Sequence, residues 1–319
     1  MKRAVVIGGA GFIGSQLADR LLRSGYKVTV FDNLTMGKKS HLRGALTSSQ
    51  FRFVKGDVLD ERALGPILKG DPTVFHLAAN SDIMKAMGNP GLDFHQGIRA
   101  TFYVLEAMRR SGTRKIVYFS GSGVYGDCGR KYMRENQGAL CPQSMYGAAK
   151  LSSEAMISAY SFLYGMQAWV LRLANIIGPR PTHGVVFDLI KKLKTDSCRL
   201  RVLGNGRQSK SYLHVEDLLS ALFLVMKRAR EPLNVFNISS GSYLSVRDIT
   251  LMVIKSMGLE GKTKVVYSRS ERGWKGDVPH YRLDITKIQK LGWRPQMTSK
   301  QAVLRTIREV LEDSEIRPR

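Results

Sequence analysis

Ala4-Val5-Val6-Ile7-Gly8-Gly9-Ala10-Gly11-Phe12-Ile13-Gly14 is the stretch that decides the fold. Four apolar residues stop at a glycine cluster, and a helical pattern begins at once and runs to about residue 24. A buried strand feeding directly into a helix is the opening of a βαβ unit. Glycine in the turn lets the backbone approach a pyrophosphate, and the new helix offers free N–H groups and a positive dipole end. Further along, 27–31, 51–55, 73–76, 115–119 and 169–173 read as short strands bounded by Gly, Asp or Ser. Helix-like stretches lie between them near 12–24, 60–69, 92–111 and 146–164. In the third of these, Phe102, Leu105 and Met108 are expected to form the apolar face, with Gly112 as the stop. The alternation predicts an α/β fold with a doubly wound parallel sheet.

Past Gly178-Pro179-Arg180-Pro181 the rhythm changes. Amphipathic helices are expected near 184–195, 215–229, 245–257 and 299–313, with short strands at 199–203 and 235–238 between them. This predicts a smaller C-terminal α/β lobe that caps the sheet. The expected division is 1–174 for the dinucleotide domain, to which later segments are free to return, and 175–319 mainly for that lobe.

Composition narrows the function. Fifty Lys plus Arg oppose 26 Asp plus Glu over 319 residues, a net charge of +24. Residues 1–160 carry 22 basic and 12 acidic side chains, and the remainder 28 and 14, so the excess is +10 and +14. An excess spread over both halves, with no polybasic arm, gives no support for nucleic acid as a specific partner. At 43% hydrophobic residues the chain is not a disordered basic tail. Cys128, Cys141 and Cys198 show neither CxxC nor Cys/His spacing, which predicts no metal site and suits a reducing compartment. The glycines break the first apolar run too early for a signal peptide or a membrane span. A cytoplasmic location without membrane attachment is expected.

Two constellations carry chemistry. The strand after the glycine loop ends at Asp32-Asn33, where a carboxylate suits an adenosine ribose 2′-OH and disfavours the 2′-phosphate of NADP. Gly56-Asp57-Val58 places Asp57 as a candidate for the adenine. Tyr146-Gly-Ala-Ala-Lys150 spaces a phenol and an ammonium by four residues, on one face of a helix. A lysine there is expected to lower the phenol pKa and make it a general acid/base near neutrality.

Together these residues resemble the extended short-chain dehydrogenases/reductases, in particular the nucleotide-sugar branch of the UDP-glucose 4-epimerase type. The resemblance runs through His76-Leu77-Ala78-Ala79, Val124-Tyr125-Gly126, Arg172-Leu-Ala-Asn175, Lys210-Ser-Tyr212-Leu-His214, Gly276-Asp277 and Leu291-Gly-Trp293-Arg-Pro295, covering essentially the whole chain. It implies NAD as the cofactor, held by Gly8, Gly11, Phe12, Ile13, Gly14, Asp32, Asn33, Asp57, Val58, Leu77, Ala78, Ala79, Tyr146 and Lys150. It implies a nucleoside-diphosphate sugar as substrate, a UDP-sugar favoured, with Asn175, Lys210, Arg272 and Lys275 as candidates for its diphosphate. The implied reaction is epimerisation by transient oxidation, most often at C4, with Tyr146 moving the proton and Lys150 binding the nicotinamide ribose. A homodimer is implied as well, built on the helices near 92–111 and 146–164, with Met156, Tyr160, Leu163 and Tyr164 available to its seam.

Two departures bear on the activity. Gly121 stands where the family has Ser or Thr four residues before Tyr125, leaving Ser122 or Ser120 as substitutes, and Gly97 stands at a family Asn. Ser122-Gly123 replace the Asp-Glu pair of sugar 4,6-dehydratases, so elimination of water is not expected. The alternatives are a C4 or C3 oxidoreductase of a nucleotide sugar, or a catalytically weakened protein that binds NAD or a nucleotide sugar.

Overall fold

A computed structural model describes residues 2–313, which divide into two compact units. The first comprises 2–124, Ser144–Arg172 and Leu222–Phe236; the second comprises Tyr125–Gln143, Leu173–Ala221 and 237–313. The large sheet has seven strands: β1 (Arg3–Ile7), β2 (Lys27–Asp32), β3 (Phe51–Lys55), β4 (Thr73–His76), β5 (Lys115–Gly121), β6 (Gln167–Leu173) and β7 (Leu233–Ile238). Their order is β7-β6-β5-β4-β1-β2-β3, so the chain starts in the middle and winds first to one edge, then to the other. Val5 pairs with Thr29 and Val74, and Val30 with Phe53, all in parallel register. Buried on both faces, β1 is one continuous apolar run after Arg3, as a central parallel strand requires.

The last sheet strand is a correction. Residues 235–238 were expected in the C-terminal lobe; they belong to β7, at the edge of the large sheet beside β6. The pairing joins positions some sixty residues apart, which local periodicity does not record.

Three helices matter for the site: α1 (Phe12–Arg23), α2 (Ala100–Ser111) and α3 (Met145–Tyr164). On α2 the buried face is Ala100, Thr101, Val104, Leu105 and Met108, while Phe102 is exposed, contrary to expectation. Leu105 and Met108 join Val5, Ile7, Val74, Ile116 and Ile157 in a fully buried cluster. Each such side chain contributes roughly 1.5–3 kcal/mol by leaving water. The stretch leading into α2 is not regular: a turn at Gly91–Asp93 passes into a π-helix at Phe94–Arg99. Gly97 explains the close approach of that segment to α3, since a Cβ there would lie 2.8 Å from the Ala149 Cβ.

In the second unit, Val185–Thr195, Val246–Ser256 and Ser299–Glu312 pack over short strands around Leu189, Ile190, Val253 and Ile307. The strand Asn175–Ile177 pairs in parallel with Tyr212–His214, and Arg199–Val202 with Lys264–Tyr267. Both Val246–Ser256 and Ser299–Glu312 start with capping boxes, on Ser245/Asp248 and Thr298/Gln301. Among the described residues no helix is long and apolar enough to cross a membrane.

Candidate active site

The glycine loop is shaped by backbone contact. Gly8 adopts φ +81°, and a Cβ there would lie 2.6 Å from the Ala78 nitrogen. A Cβ on Gly14 would run into the Gly8 carbonyl. The Gly8 N–H donates to the Phe31 carbonyl at 2.8 Å, tying the loop to β2. Gly11 caps α1 without a side chain, and no acidic residue enters its first turn. No acidic side chain of the helix's own first turn therefore competes for the N–H groups at its start.

Around this loop the structure gathers the other cofactor candidates at the C-terminal ends of β1 to β4. Asp32, almost buried, accepts from the Ala10 N–H at 2.9 Å and the Leu34 N–H at 2.8 Å. Two bonds leave a carboxylate with acceptor capacity for ribose hydroxyls. The Asn33 amide donates to Asp57 at 3.0 Å, and the Leu59 N–H donates to the other oxygen of Asp57 at 2.9 Å. Val58 is buried in the core. Leu77 and Ala78 both donate to the Ile7 carbonyl, at 2.9 and 3.0 Å, and so lead Ala79 away from the sheet beside Gly8. A cradle that any Cβ would fill, an uncapped helix and a carboxylate at the end of β2 together suit a dinucleotide.

The second cluster lies on α3. Ser144 caps the helix by accepting from the Gly147 N–H at 3.1 Å, which sets Tyr146 in the first turn and Lys150 one turn on. Lys150 is buried; its Nζ donates to the Phe119 carbonyl at 2.8 Å and lies 4.9 Å from the Tyr118 ring and 5.6 Å from the Tyr146 ring. Burial brings the ammonium down to about 8, against the raising influence of Glu154 and Asp93. Tyr146 departs from expectation: burial first, and the charge of Asp93 second, push its phenol up to about 12. Lys150 does not offset the loss of solvent around the hydroxyl.

The serines separate clearly. Ser120 donates to Glu154, which is itself clamped by Arg172 at 2.7 Å with both partners buried, so its hydroxyl is committed. Gly121 closes β5, and a Cβ there would meet nothing within 4 Å. Ser122 opens the short 3-10 turn Ser122–Tyr125 and is nearly buried.

Two further buried groups adjoin this cluster: Asp93, which the sequence did not single out, and His76, read there only as the end of β4 and the start of the His76-Leu77-Ala78-Ala79 segment. Asp93 is buried; one of its oxygens accepts from the Asn80 amide at 2.8 Å and the other has no partner. His76 contacts Thr101 at 3.1 Å through Nε2, leaves Nδ1 unpartnered, and is held neutral at about 3 by burial and by Lys150. His41, also missed, packs its Nδ1 at 3.1 Å from the Ala10 carbonyl. Asp93 and His41 carry no local signal: each is a single polar residue in an unremarkable stretch, defined by partners 13 and 31 positions away.

In the second unit, two candidate cations meet at one residue, Lys210 at the Asp277 carboxylate and Arg272 at its backbone carbonyl. Lys210 pairs with Asp277 at 2.5 Å, while Arg272 donates to the Asp277 carbonyl, to Gln143 and to Asp127, each at 2.9 Å. Asn175 sits in the strand beside Tyr212 and bonds its side chain. Lys275 is exposed and is not drawn into this group. Asp127 and Gln143 were not foreseen. Cys128, Cys141 and Cys198 are free thiols, and among the described residues no group of three or more His, Cys, Asp or Glu is placed to hold a metal ion.

Comparison with known proteins agrees with this geometry. Residues 4–239 match the NAD dependent epimerase/dehydratase family. The chain is 31% identical over 314 residues to a UDP-glucose 4-epimerase of Mycolicibacterium smegmatis, covering 96% of this chain and 97% of that one. A crystal structure of a UDP-galactose 4-epimerase superposes with a TM-score of 0.86 at 37% identity, over 97% of this chain and 99% of the other. A dTDP-glucose 4,6-dehydratase from Streptomyces venezuelae, crystallised with NAD, superposes with a TM-score of 0.88 at 28% identity, over 99% and 100%. Glycine loop, sheet order and Tyr–Lys helix thus coincide with a match over most of the chain, and the protein belongs to the NAD dependent epimerase/dehydratase family, an extended short-chain dehydrogenase/reductase enzyme.

Proposed function

We propose that this enzyme epimerises a nucleoside-diphosphate sugar, a UDP-sugar in preference, at C4. The observation that carries the reading is the Tyr146–Lys150 pair at the head of α3 in the same unit as a glycine cradle fitted to a dinucleotide. NAD, when bound, supplies the acceptor and then the donor of a hydride. The chain's own residues do the rest. Gly8, Gly11 and Gly14 with the first N–H groups of α1 hold the pyrophosphate, and Asp32, Asn33 and Asp57 hold the adenosine side. Lys150 binds the nicotinamide ribose and keeps a positive charge near Tyr146. Tyr146 Oη takes the proton of the sugar hydroxyl as the carbon is oxidised and returns it after the keto-sugar has turned over. Ser122 is the hydroxyl left to assist, since Ser120 is spent on Glu154. Lys210 and Arg272, with Asn175, hold the diphosphate, and Lys275 contributes only on rearrangement.

The absence of an acid–base pair at Ser122-Gly123 favours epimerisation over elimination of water. The UDP-hexose epimerases among the relatives favour a UDP-sugar. Incubation with UDP-glucose, UDP-N-acetylglucosamine and their uronic acids, followed by product separation, tests the proposal: the C4 epimer accumulates to equilibrium without net NAD reduction. Net reduction with a keto-sugar product would instead indicate the C4 or C3 oxidoreductase. Ligand-induced thermal stabilisation with no product would indicate a weakened binding protein, a reading favoured by the missing hydroxyl at Gly121.

The proposal includes a cytoplasmic homodimer. Of the residues available to a seam, Tyr160 bonds Glu106 at 2.7 Å and packs with Met156 on the core, whereas Leu163 is 72% exposed and Tyr164 39%. Phe162, on α3, and Phe102, on α2, are exposed apolar side chains as well. Light scattering gives the dimer mass if these helices pair; a monomer mass rejects it.

A further inference from the structure

Two carboxylates act on Lys150 through their charge, Glu154 and Asp93. Glu154, one turn along α3, is already consumed by Arg172 and Ser120. Asp93 differs: it is 2% exposed, bonded only through one oxygen to Asn80, and its other oxygen is unpartnered. It closes the turn Gly91–Asp93, which packs on α3. One turn later, Gly97 brings the π-helix against Ala149, the residue just before Lys150. A buried acceptor with spare capacity is costly unless something nearby uses its charge.

We propose that Asp93 is a positioning residue that keeps Lys150 charged beside Tyr146. The remaining neighbours do not serve. His76, from β4, is neutral, and Tyr118, from β5, offers Lys150 only the face of its ring. Tyr146 lies beside both groups as a protonated phenol. Asn80, from the loop after β4, is a neutral donor fixed by the Asp82 carbonyl and N–H. His95 and Arg99, on the π-helix, are exposed. Asp93 therefore supplies the negative charge that opposes the burial of Lys150, at the cost of making Tyr146 harder to ionise until the ligands bind. Its catalytic consequence rests on the epimerase reading; its effect on Lys150 does not.

The test needs no substrate. In the full chain labelled with carbon-13 at lysine Cε, Lys150 is the resonance that titrates near about 8 and is lost in Lys150→Arg. A nearby negative charge favours the ammonium, so Asp93→Asn lowers the midpoint, by on the order of one pH unit. Asp93→Glu restores it. Should the Asn variant fail to fold, Asp93→Ser removes the same charge with less bulk. A midpoint that stays in place in the folded neutral variant overturns the proposal. Where nucleotide-sugar turnover is found, the alkaline limb of kcat/KM moves to lower pH in Asp93→Asn, a change that a packing defect alone does not produce. Absence of turnover with every nucleotide sugar refutes the epimerase reading, and the Lys150 midpoint still decides the role of Asp93.

Discussion

The glycine cradle and the Tyr146–Lys150 cluster stand at the C-terminal ends of neighbouring strands, yet they are built in opposite ways. The cradle is satisfied: Gly8 is bonded to β2, both oxygens of Asp32 are occupied by backbone N–H groups, and Asn33 is bonded to Asp57. The cluster on α3 is not. It buries an ammonium, an imidazole and a carboxylate beside a half-buried phenol, and leaves Asp93 and His76 each with an unpartnered atom. Backbone contacts alone preorganise a binding surface. Chemistry at the sheet end requires titratable groups held out of water, where they pull one another's pKa values away from ordinary ranges.

The widest break in that comparison is Tyr146→Phe. On the proposed mechanism, removing the hydroxyl takes the acid/base and nothing of the cradle, so turnover falls by about 10²–10⁴-fold while NAD affinity, read by calorimetry, is retained. Loss of NAD binding in that variant would mean that the two regions are not separable. Next comes the buried pair that anchors the cluster. Arg172→Met strands Glu154 in the interior and costs about 3–5 kcal/mol in urea unfolding, most of which Glu154→Leu in the same chain recovers.

On the cradle side, Gly14→Ala forces a methyl against the Gly8 carbonyl. Overpacking of this kind costs about 1–3 kcal/mol, and NAD binding weakens with it. The smallest change is expected at the boundary between the regions. Gly121→Ser adds its side chain to open space, so stability stays within about 0.5 kcal/mol of the parent. If the missing hydroxyl limits turnover, the same variant is faster than the parent in the product assay; equal rates show that Ser122 already serves.

These two regions were legible to different degrees. The cradle could be read in the chain because its determinants are consecutive: Val5 to Gly14 encode strand, turn and helix without reference to anything distant. The same holds for Tyr146 and Lys150, whose four-residue spacing fixes a shared helical face. Phe102 shows where local pattern failed: past the π-helix, Ala100, Thr101 and Val104 face inward with the expected Leu105 and Met108, and Phe102 does not. Residues 235–238 show it again: an apolar strand-like run carries no record of which sheet accepts it.

By itself, then, the sequence determined the alternating α/β order, the glycine turn and the Tyr–Lys pair, because each is set by neighbours within a turn or two of backbone. Only the tertiary structure decided that Asp93 meets Asn80 beside Lys150, that Ser120 is spent on Glu154, and that Lys210 and Arg272 converge on Asp277. Those outcomes depend on desolvation and on partners far away in the chain. Burial is a property of the packed fold and not of any residue in it.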